Sequence, residues 1–333
     1  ASDDEITELN KVVAKYDGFY SPHHRNYGAN FLDAVADCIS IASKSGCKLH
    51  LTHCHMSHPK FHDKTDQLFE LIDKASSNKV RITLDSYPYL AGSTYLHALL
   101  PSWSAAQGMD GIIKMINDPS SRARIIENLN ITGSDGNHGG TVNWPSIVIA
   151  SVEKNSNFKF IGRKLIECAE EVGKTPVDFY LDLIADEIGR VLCILHSGYE
   201  PNVRKIMQRD NHMVGTDGIL AGKKPHPRAY GTFTRYLGVY AREEKVISLS
   251  GAVSRMTGRP AKLLRLKDRG LVKVGYRADL VLFDDLSVID VATYENPHQL
   301  SKGIERVFIN GQTTWKSGKR TDLLPGQAIR ANA

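Results

Sequence analysis

Three polar residues in this sequence have the types and positions of a metal-assisted hydrolytic site. His23 and His53 each follow a short apolar run, and Asp217 lies between Thr216 and Gly218 after another. Imidazole nitrogens and carboxylates are common zinc ligands, and a carboxylate beside a metal can shuttle a proton during hydrolysis. Each residue alone is more often a structural hydrogen-bonding group, but the three together favour a metal centre that activates water.

Both histidines have a polar neighbour at the spacing of a β-strand. Arg25 follows His23 after one intervening residue, and His55 follows His53 in the same way. Because alternate residues of a strand point to the same side, each pair is expected on one side of its strand end. His138 lies in a glycine-rich stretch, where a solvated loop position is expected.

Arg228 and Tyr87 have side chains suited to recognising a charged or polarised substrate. Arg228 follows Pro227 in a loop beyond Asp217, and a guanidinium can hold a carboxylate through two parallel hydrogen bonds. Tyr87 opens a Tyr-Pro-Tyr sequence at a strand end, where a phenol can donate to an oxyanion. The alternatives are a surface arginine and an aromatic core residue.

The candidate residues follow short apolar segments that are typical of strands. Such segments occur at residues 48–53, 80–84, 190–195 and 213–215. Apolar residues at helical spacing separate them, for example over residues 68–75. Alternation of strands and helices indicates a parallel sheet with its chemistry at the carboxyl ends of the strands, as in the later part of a metal-dependent barrel hydrolase.

Changes in composition and periodicity divide the chain. Residues 1–265 are predicted to form the barrel part, interrupted at about residues 97–180 by a Gly- and Asn-rich insertion that is a candidate lid. Residues 266–333 are predicted to form a small antiparallel β-sandwich domain. Its strand-like segments are residues 271–275, 278–283, 304–309 and 313–316, and Asn310-Gly311 predicts a type I′ hairpin between the last two.

Composition narrows the class of protein. No run of 18 apolar residues occurs, so no membrane partner is expected. The net charge of +5 is spread along the chain, which argues against nucleic-acid binding and suits a small anionic substrate. The five cysteines show no CxxC spacing and indicate reduced thiols in a cytoplasmic protein. P-loop, GxGxxG and GxSxG motifs are absent from the sequence.

With these residues identified, the chain resembles the N-acyl-D-amino-acid deacylases (D-aminoacylases) of the amidohydrolase superfamily over nearly its whole length. The most specific matches are residues 20–26 (Tyr-Ser-Pro-His-His-Arg-Asn), 85–94 (Asp-Ser-Tyr-Pro-Tyr-Leu-Ala-Gly-Ser-Thr), 214–218 (Val-Gly-Thr-Asp-Gly), 226–228 and 231–233. A signature of the wider superfamily lies within residues 256–281. The resemblance implies an α/β fold, a distorted (β/α)₈ barrel with a small β domain.

The resemblance also implies a role for each candidate residue. His23 and His53 are zinc ligands, and Asp217 is the catalytic acid/base. Arg228 clamps the substrate carboxylate, and Tyr87 contacts the carbonyl. The implied reaction is zinc-dependent hydrolysis of the amide bond of an N-acyl-D-amino acid or a related small amide, with Asp217 protonating the departing amine.

The chain departs from the family pattern at two positions near these residues. His55 stands where the family has a lysine, and Tyr27 stands where an acidic residue is common. Both positions are expected to influence substrate choice, and His55 is taken as a substrate-binding residue.

The family's HxH pair and its metal-binding cysteine precede the first residue of this sequence. We therefore expect a partner, an N-terminal chain or fragment that supplies the HxH strand and the remaining barrel strands and arises by cleavage of one precursor. Two alternatives stay open on the sequence alone, namely a cyclic amidase similar to hydantoinases and a non-catalytic half of a larger assembly.

Overall fold

The computed structural model describes residues 1–330. Its α-helices are Asp3–Lys15 (α1), Phe31–Ser45 (α2), Thr65–Ser77 (α3), Ser102–Ala105 (α4), Gly108–Asn117 (α5), Pro119–Glu127 (α6), Leu165–Glu171 (α7), Pro176–Asp186 (α8), Glu200–Gln208 (α9), Arg228–Arg235 (α10), Leu249–Met256 (α11) and Gly258–Leu263 (α12). Its strands are Phe19–Tyr20 (β1), Lys48–Leu51 (β2), Ile82–Ser86 (β3), Ala91–Tyr95 (β4), Ile147–Ser151 (β5), Leu192–His196 (β6), His212–Val214 (β7), Leu280–Phe283 (β8), Ile304–Ile309 (β9), Gln312–Lys316 (β10) and Lys319–Arg320 (β11).

A parallel sheet of four strands, in the order β1-β2-β3-β7, carries the candidate residues. Its strands are paired in register, so their carboxyl ends lie along one edge. Helices α2 and α3 cover the sheet, and the shared core includes Phe31, Val35, Leu49, Leu68 and Leu84. The strands predicted at residues 48–53, 80–84 and 213–215 are thus confirmed, with bounds shifted by at most two residues.

Helix α2 illustrates how the sequence sets the entry into a strand. Its buried residues Phe31, Val35, Cys38 and Ala42 recur every three or four positions and form one apolar stripe. The helix ends at Gly46, whose φ of 70° is the left-handed conformation that favours glycine. Strand β2 begins two residues later, so this cap directs the chain into the sheet.

The strand predicted at residues 190–195 is present as β6, but its assignment to the parallel sheet was wrong. β6 pairs antiparallel with both β4 and β5. Helices α5, α6, α7 and α8 pack with this sheet around a core that includes Ile112, Ile125, Leu165, Ile184 and Cys193. The predicted insertion at 97–180 therefore belongs to a larger unit with its own core, spanning roughly residues 91–196. The lid role stays a prediction.

Residues 280–320 form an antiparallel sheet in the order β11-β10-β9-β8. Asn310 and Gly311 have φ values of 49° and 77°, which the predicted type I′ hairpin requires. The strand predicted at residues 271–275 was wrong, because this segment pairs with no strand in the described part of the chain and exposes Val272 and Val274 almost fully. Residues 331–333 of the predicted β domain lie outside the described residues.

The carboxyl edge of the parallel sheet gathers the candidate side chains. His23 follows β1, His53 follows β2, Tyr87 follows β3, and Asp217 follows β7. Within residues 1–330, no helix has both the length and the apolar character that crossing a membrane requires.

Candidate active site

His23 and His53 form the centre of the candidate site. His23 Nδ1 and His53 Nε2 are 3.3 Å apart, and the ring centroids are 4.9 Å apart. Burial lowers the pKa of His23, with a smaller contribution from the neighbouring His53. In its neutral form each imidazole has a ring nitrogen with a free electron pair, which is the form that serves as a ligand for a cation.

This nitrogen separation fits a zinc site. Two nitrogen ligands that lie about 2.0–2.1 Å from a tetrahedral zinc ion are about 3.3–3.4 Å from each other. His23 and His53 therefore fit two of its coordination positions. No group of three or more His, Cys, Asp or Glu side chains is placed to hold a metal ion within residues 1–330.

Asp85 fixes the backbone at His53. Its Oδ1 accepts the His53 N–H at 2.6 Å, and its Oδ2 lies 3.0 Å from His50 Nε2. Burial opposes ionisation of Asp85, but the hydrogen bonds from His50 and from the His53 backbone leave its pKa below the usual value. His53 has a φ of 34°, an uncommon conformation for a non-glycine residue that persists only where its surroundings impose it.

Sequence reasoning missed the role of Asp85. The sequence does contain a signal for it, because an aspartate within an apolar, buried strand needs hydrogen-bonding partners nearby. Gly215 on the neighbouring strand end makes room for it, since a Cβ at this position would lie 2.7 Å from Asp85 Cγ.

Tyr27 lies against the histidine pair. Its hydroxyl is 2.7 Å from His53 Nδ1 and accepts the backbone N–H of His24 at 3.0 Å. The His24 ring is fully buried and stacks on the Tyr27 ring with centroids 5.1 Å apart, and its edge also approaches the His53 ring, with centroids 6.2 Å apart. Burial raises the pKa of Tyr27, so its phenol stays protonated.

Asp217 and Arg228 form an ion pair beside the histidines. Arg228 Nη2 is 2.8 Å from Asp217 Oδ2, and the side chains are 1% and 42% exposed, respectively. Asp217 has a left-handed backbone with a φ of 46°. Strained conformations of this kind occur preferentially at functional sites. The buried arginine rules out the alternative of an ordinary surface residue at position 228.

Tyr87 and His55 form one wall next to Arg228. The Arg228 guanidinium lies over the Tyr87 ring, 4.4 Å from its centroid. The His55 ring also packs against the Tyr87 ring, with centroids 4.1 Å apart. His55 is buried, and its Nε2 has no hydrogen-bond partner among residues 1–330. Burial lowers the pKa of His55 to about 3. His55 thus has a neutral imidazole with a buried nitrogen that no residue of the described chain satisfies.

His226 orients Arg228. Its Nδ1 accepts the Arg228 backbone N–H at 3.0 Å, which leaves Nε2 protonated to donate to the carbonyl of Ala91 at 2.9 Å. Burial, assisted by the positive charge of Arg228, lowers the pKa of His226 to about 2. The ring therefore remains neutral and connects the start of α10 to strand β4.

Two expectations about the surroundings were wrong. Arg25 does not share a side with His23 but forms an ion pair with Asp3 at 2.5 Å, because β1 ends at Tyr20 and the strand does not continue through residues 21–25. His138 is not simply solvated. Asn26 Nδ2 donates to its carbonyl at 2.9 Å, and its ring lies 5.4 Å from that of Tyr27. Nothing in the local sequence signals this contact between distant segments.

The chain is similar in sequence to known proteins. A family model described as "Amidohydrolase family" matches residues 165–316. An N-acyl-D-glutamate deacylase from Alcaligenes xylosoxydans xylosoxydans is 31% identical over 99% of this chain and 58% of its own length. A D-aminoacylase from the same organism is 29% identical over 100% of this chain and 59% of its own length. The chain thus spans about three-fifths of the length of these relatives.

A solved structure supports the fold assignment. The N-acyl-D-glutamate deacylase of Bordetella bronchiseptica, crystallised with zinc and a phosphonate that mimics the tetrahedral intermediate, superposes with a TM-score of 0.81 and 27% identity. The match covers 99% of this chain and 60% of that protein. The resemblance to the N-acyl-D-amino-acid deacylases and the amidohydrolase fold are thereby confirmed.

Proposed function

Because the chain has the fold and the sequence motifs of the N-acyl-D-amino-acid deacylases, we propose that it provides most of the active site of a zinc-dependent enzyme that hydrolyses the linear amide bond of an N-acyl-D-amino acid. The observation that carries this proposal is the convergence of His23 Nδ1 and His53 Nε2 at 3.3 Å beside the Asp217–Arg228 ion pair. Two nitrogen ligands and a carboxylate that can carry a proton are groups that metal-assisted amide hydrolysis uses, and the buried cation beside them suits an anionic substrate.

His23 and His53 would hold the zinc ion in this proposal. When bound, zinc lowers the pKa of water and polarises a carbonyl. In the proposed reaction, water adds to the acyl carbon and loses a proton to Asp217 Oδ1, since Oδ2 is engaged by Arg228. Asp217 then delivers this proton to the nitrogen of the departing amino acid as the C–N bond breaks. The half-exposed position of Asp217 gives it access to both water and substrate.

Arg228 would bind the α-carboxylate of the substrate. It is almost fully buried, and its Nε has no hydrogen-bond partner among residues 1–330. A buried cation with an unused donor favours an anionic ligand. The stacking on Tyr87 fixes the plane of the guanidinium, and the Tyr87 hydroxyl and His55 Nε2 are the candidate contacts for the carbonyl and the remaining polar groups.

We further propose that additional polypeptide completes the site, either within a longer chain or as a separate fragment from a cleaved precursor. It would supply the HxH strand and the remaining barrel strands. Exposed apolar side chains support this, including Leu9 and Val12 on α1, Tyr16 directly after it, and Leu280, Val281 and Leu282 on β8. Five unpaired, buried cysteines favour a reducing compartment, and we propose the cytoplasm.

A second candidate is a non-catalytic half of such an assembly. It is favoured by the absence of a three-ligand metal group within residues 1–330. The two candidates differ in metal content, because an enzyme of the proposed type carries zinc.

Hydrolysis of N-acetyl-D-glutamate and other N-acetyl-D-amino acids by the purified protein, together with any polypeptide that copurifies, tests the proposal. We expect turnover of D-substrates in preference to L-substrates, loss of turnover after chelation, and recovery on adding zinc. Zinc-bound protein that hydrolyses no N-acyl-D-amino acid would exclude the proposed activity.

A further inference from the structure

We propose that Tyr27 is the positioning residue of His53: its hydroxyl accepts the Nδ1 proton of His53 and thereby keeps the electron pair of Nε2 directed at His23. This inference rests on the proposed zinc site and adds a residue that fixes one ligand in its metal-binding form.

The contacts of the Tyr27 hydroxyl define its role. It lies 2.7 Å from His53 Nδ1 and accepts the backbone N–H of His24 at 3.0 Å. A phenolic oxygen has two electron pairs and one proton. One electron pair is used by His24, so the second is available for an N–H of His53.

The direction of the bond to His53 decides whether this histidine can bind a metal. If Tyr27 donated its proton to Nδ1, the neutral ring would carry its own proton on Nε2, the atom that faces His23 at 3.3 Å. No electron pair would then point at the site. If Tyr27 accepts, Nδ1 carries the proton and Nε2 is a free ligand. Ligating histidines usually donate their other ring N–H to a neighbouring oxygen in this way.

The Tyr27 ring is held so that its hydroxyl cannot easily leave. It stacks on the buried His24 with an interplanar angle of 17°, and its centroid lies 6.1 Å from that of Phe31 at the start of α2. The next residue is fixed as well, since the Gly28 N–H donates to Asn26 Oδ1 at 2.8 Å. The hydroxyl therefore serves as a preorganised acceptor, which is what a positioning group requires.

Zinc affinity of the metal-free protein tests the consequence of this contact. The protein as purified, with any polypeptide that copurifies, is stripped with a chelator and titrated with zinc against a chromophoric competitor. Tyr27→Phe keeps the ring and removes only the hydroxyl, and we expect zinc affinity to fall about 10–100-fold. The matched control is Tyr199→Phe, which removes a hydroxyl bonded to Asp63 at 2.6 Å and should leave the affinity unchanged.

Nitrogen-15 NMR of the histidine side chains tests the proton assignment without zinc. In metal-free wild-type protein, the His53 resonance, identified by its loss in His53→Gln, should show the Nδ1–H form, and Tyr27→Phe should shift it toward the Nε2–H form. The inference is overturned if wild-type His53 carries its proton on Nε2, or if Tyr27→Phe keeps both the tautomer and a zinc affinity within threefold of wild type. A wild-type protein that binds no zinc would instead overturn the proposed function, and the NMR result would still decide the role of Tyr27.

Discussion

The carboxyl edge of the parallel sheet and the C-terminal antiparallel sheet differ in how far their side chains find partners within the described chain. At the edge, most polar groups have partners: Asp85 binds the His53 backbone, and Arg228 binds Asp217. In the C-terminal sheet, Val281 and Leu282 are 54% and 57% exposed. The chain therefore organises its chemical groups internally but leaves an apolar sheet uncovered.

This difference implies that substitutions in the two regions have different effects. Changes at the edge should alter chemistry while the fold persists, because the backbone there is held by several independent bonds. Changes on the open sheet should alter association and solubility while chemistry persists, because exposed apolar groups on strands promote non-specific pairing.

Asp217→Asn should give the largest effect at the edge. The amide cannot accept a proton, so we expect kcat to fall about 10²–10⁴-fold with zinc content unchanged. Steady-state hydrolysis of the best N-acetyl-D-amino acid measures this. Asp63→Asn is the control, since Asp63 bonds Tyr199 instead of a site residue. A rate within tenfold of wild type would identify another group as the base.

Asp85→Asn should affect both chemistry and stability, and is therefore an exception to the expectation that changes at the edge leave the fold intact. It weakens charge-assisted hydrogen bonds to His50 and to the His53 backbone, each worth about 1.5–3 kcal/mol. We expect a lower free energy of unfolding in urea and reduced zinc content in the same variant. Unchanged values for both would show that the His53 backbone is held by other contacts.

Arg228→Ala should raise KM about tenfold or more for substrates with a free α-carboxylate, because the proposed charge-assisted hydrogen bond to this carboxylate would be lost. The matching amidated substrate should be much less affected. Equal losses on the two substrates would indicate that Arg228 acts by holding Asp217, its partner at 2.8 Å.

Leu282→Ala should give the smallest effect, a change within about 0.5 kcal/mol in the free energy of unfolding of the chain alone, because the side chain is exposed. Leu183→Ala is the matched control, since Leu183 is buried in the core around the other antiparallel sheet and its truncation should cost about 2–5 kcal/mol. A cost at Leu282 as large as at Leu183 would show that the open sheet is covered in solution.

The strand ends of the parallel sheet were predictable from local patterns. Short apolar runs, helical periodicity and the stop at Gly46 depend on neighbouring residues only, so they placed His23, His53 and Asp217 on one edge. The type I′ hairpin at Asn310-Gly311 was predictable for the same reason.

Contacts between distant segments were not predictable. The antiparallel pairing of β6, the approach of His138 to Tyr27 and the Asp217–Arg228 ion pair depend on how separate elements pack. The strand predicted at residues 271–275 was wrong for the same reason. An alternating apolar pattern forms a strand only where a neighbouring strand is available for pairing, and the local sequence does not show whether one is.

Metal analysis of the native, undenatured protein and its histidine variants decides whether the site is built as described. We expect near-stoichiometric zinc in the wild type and in His298→Ala, a histidine away from the site, and a loss of most zinc in His23→Ala and in His53→Ala, with folding retained in each. Full zinc content in both His23→Ala and His53→Ala would contradict the assignment of these two residues as ligands.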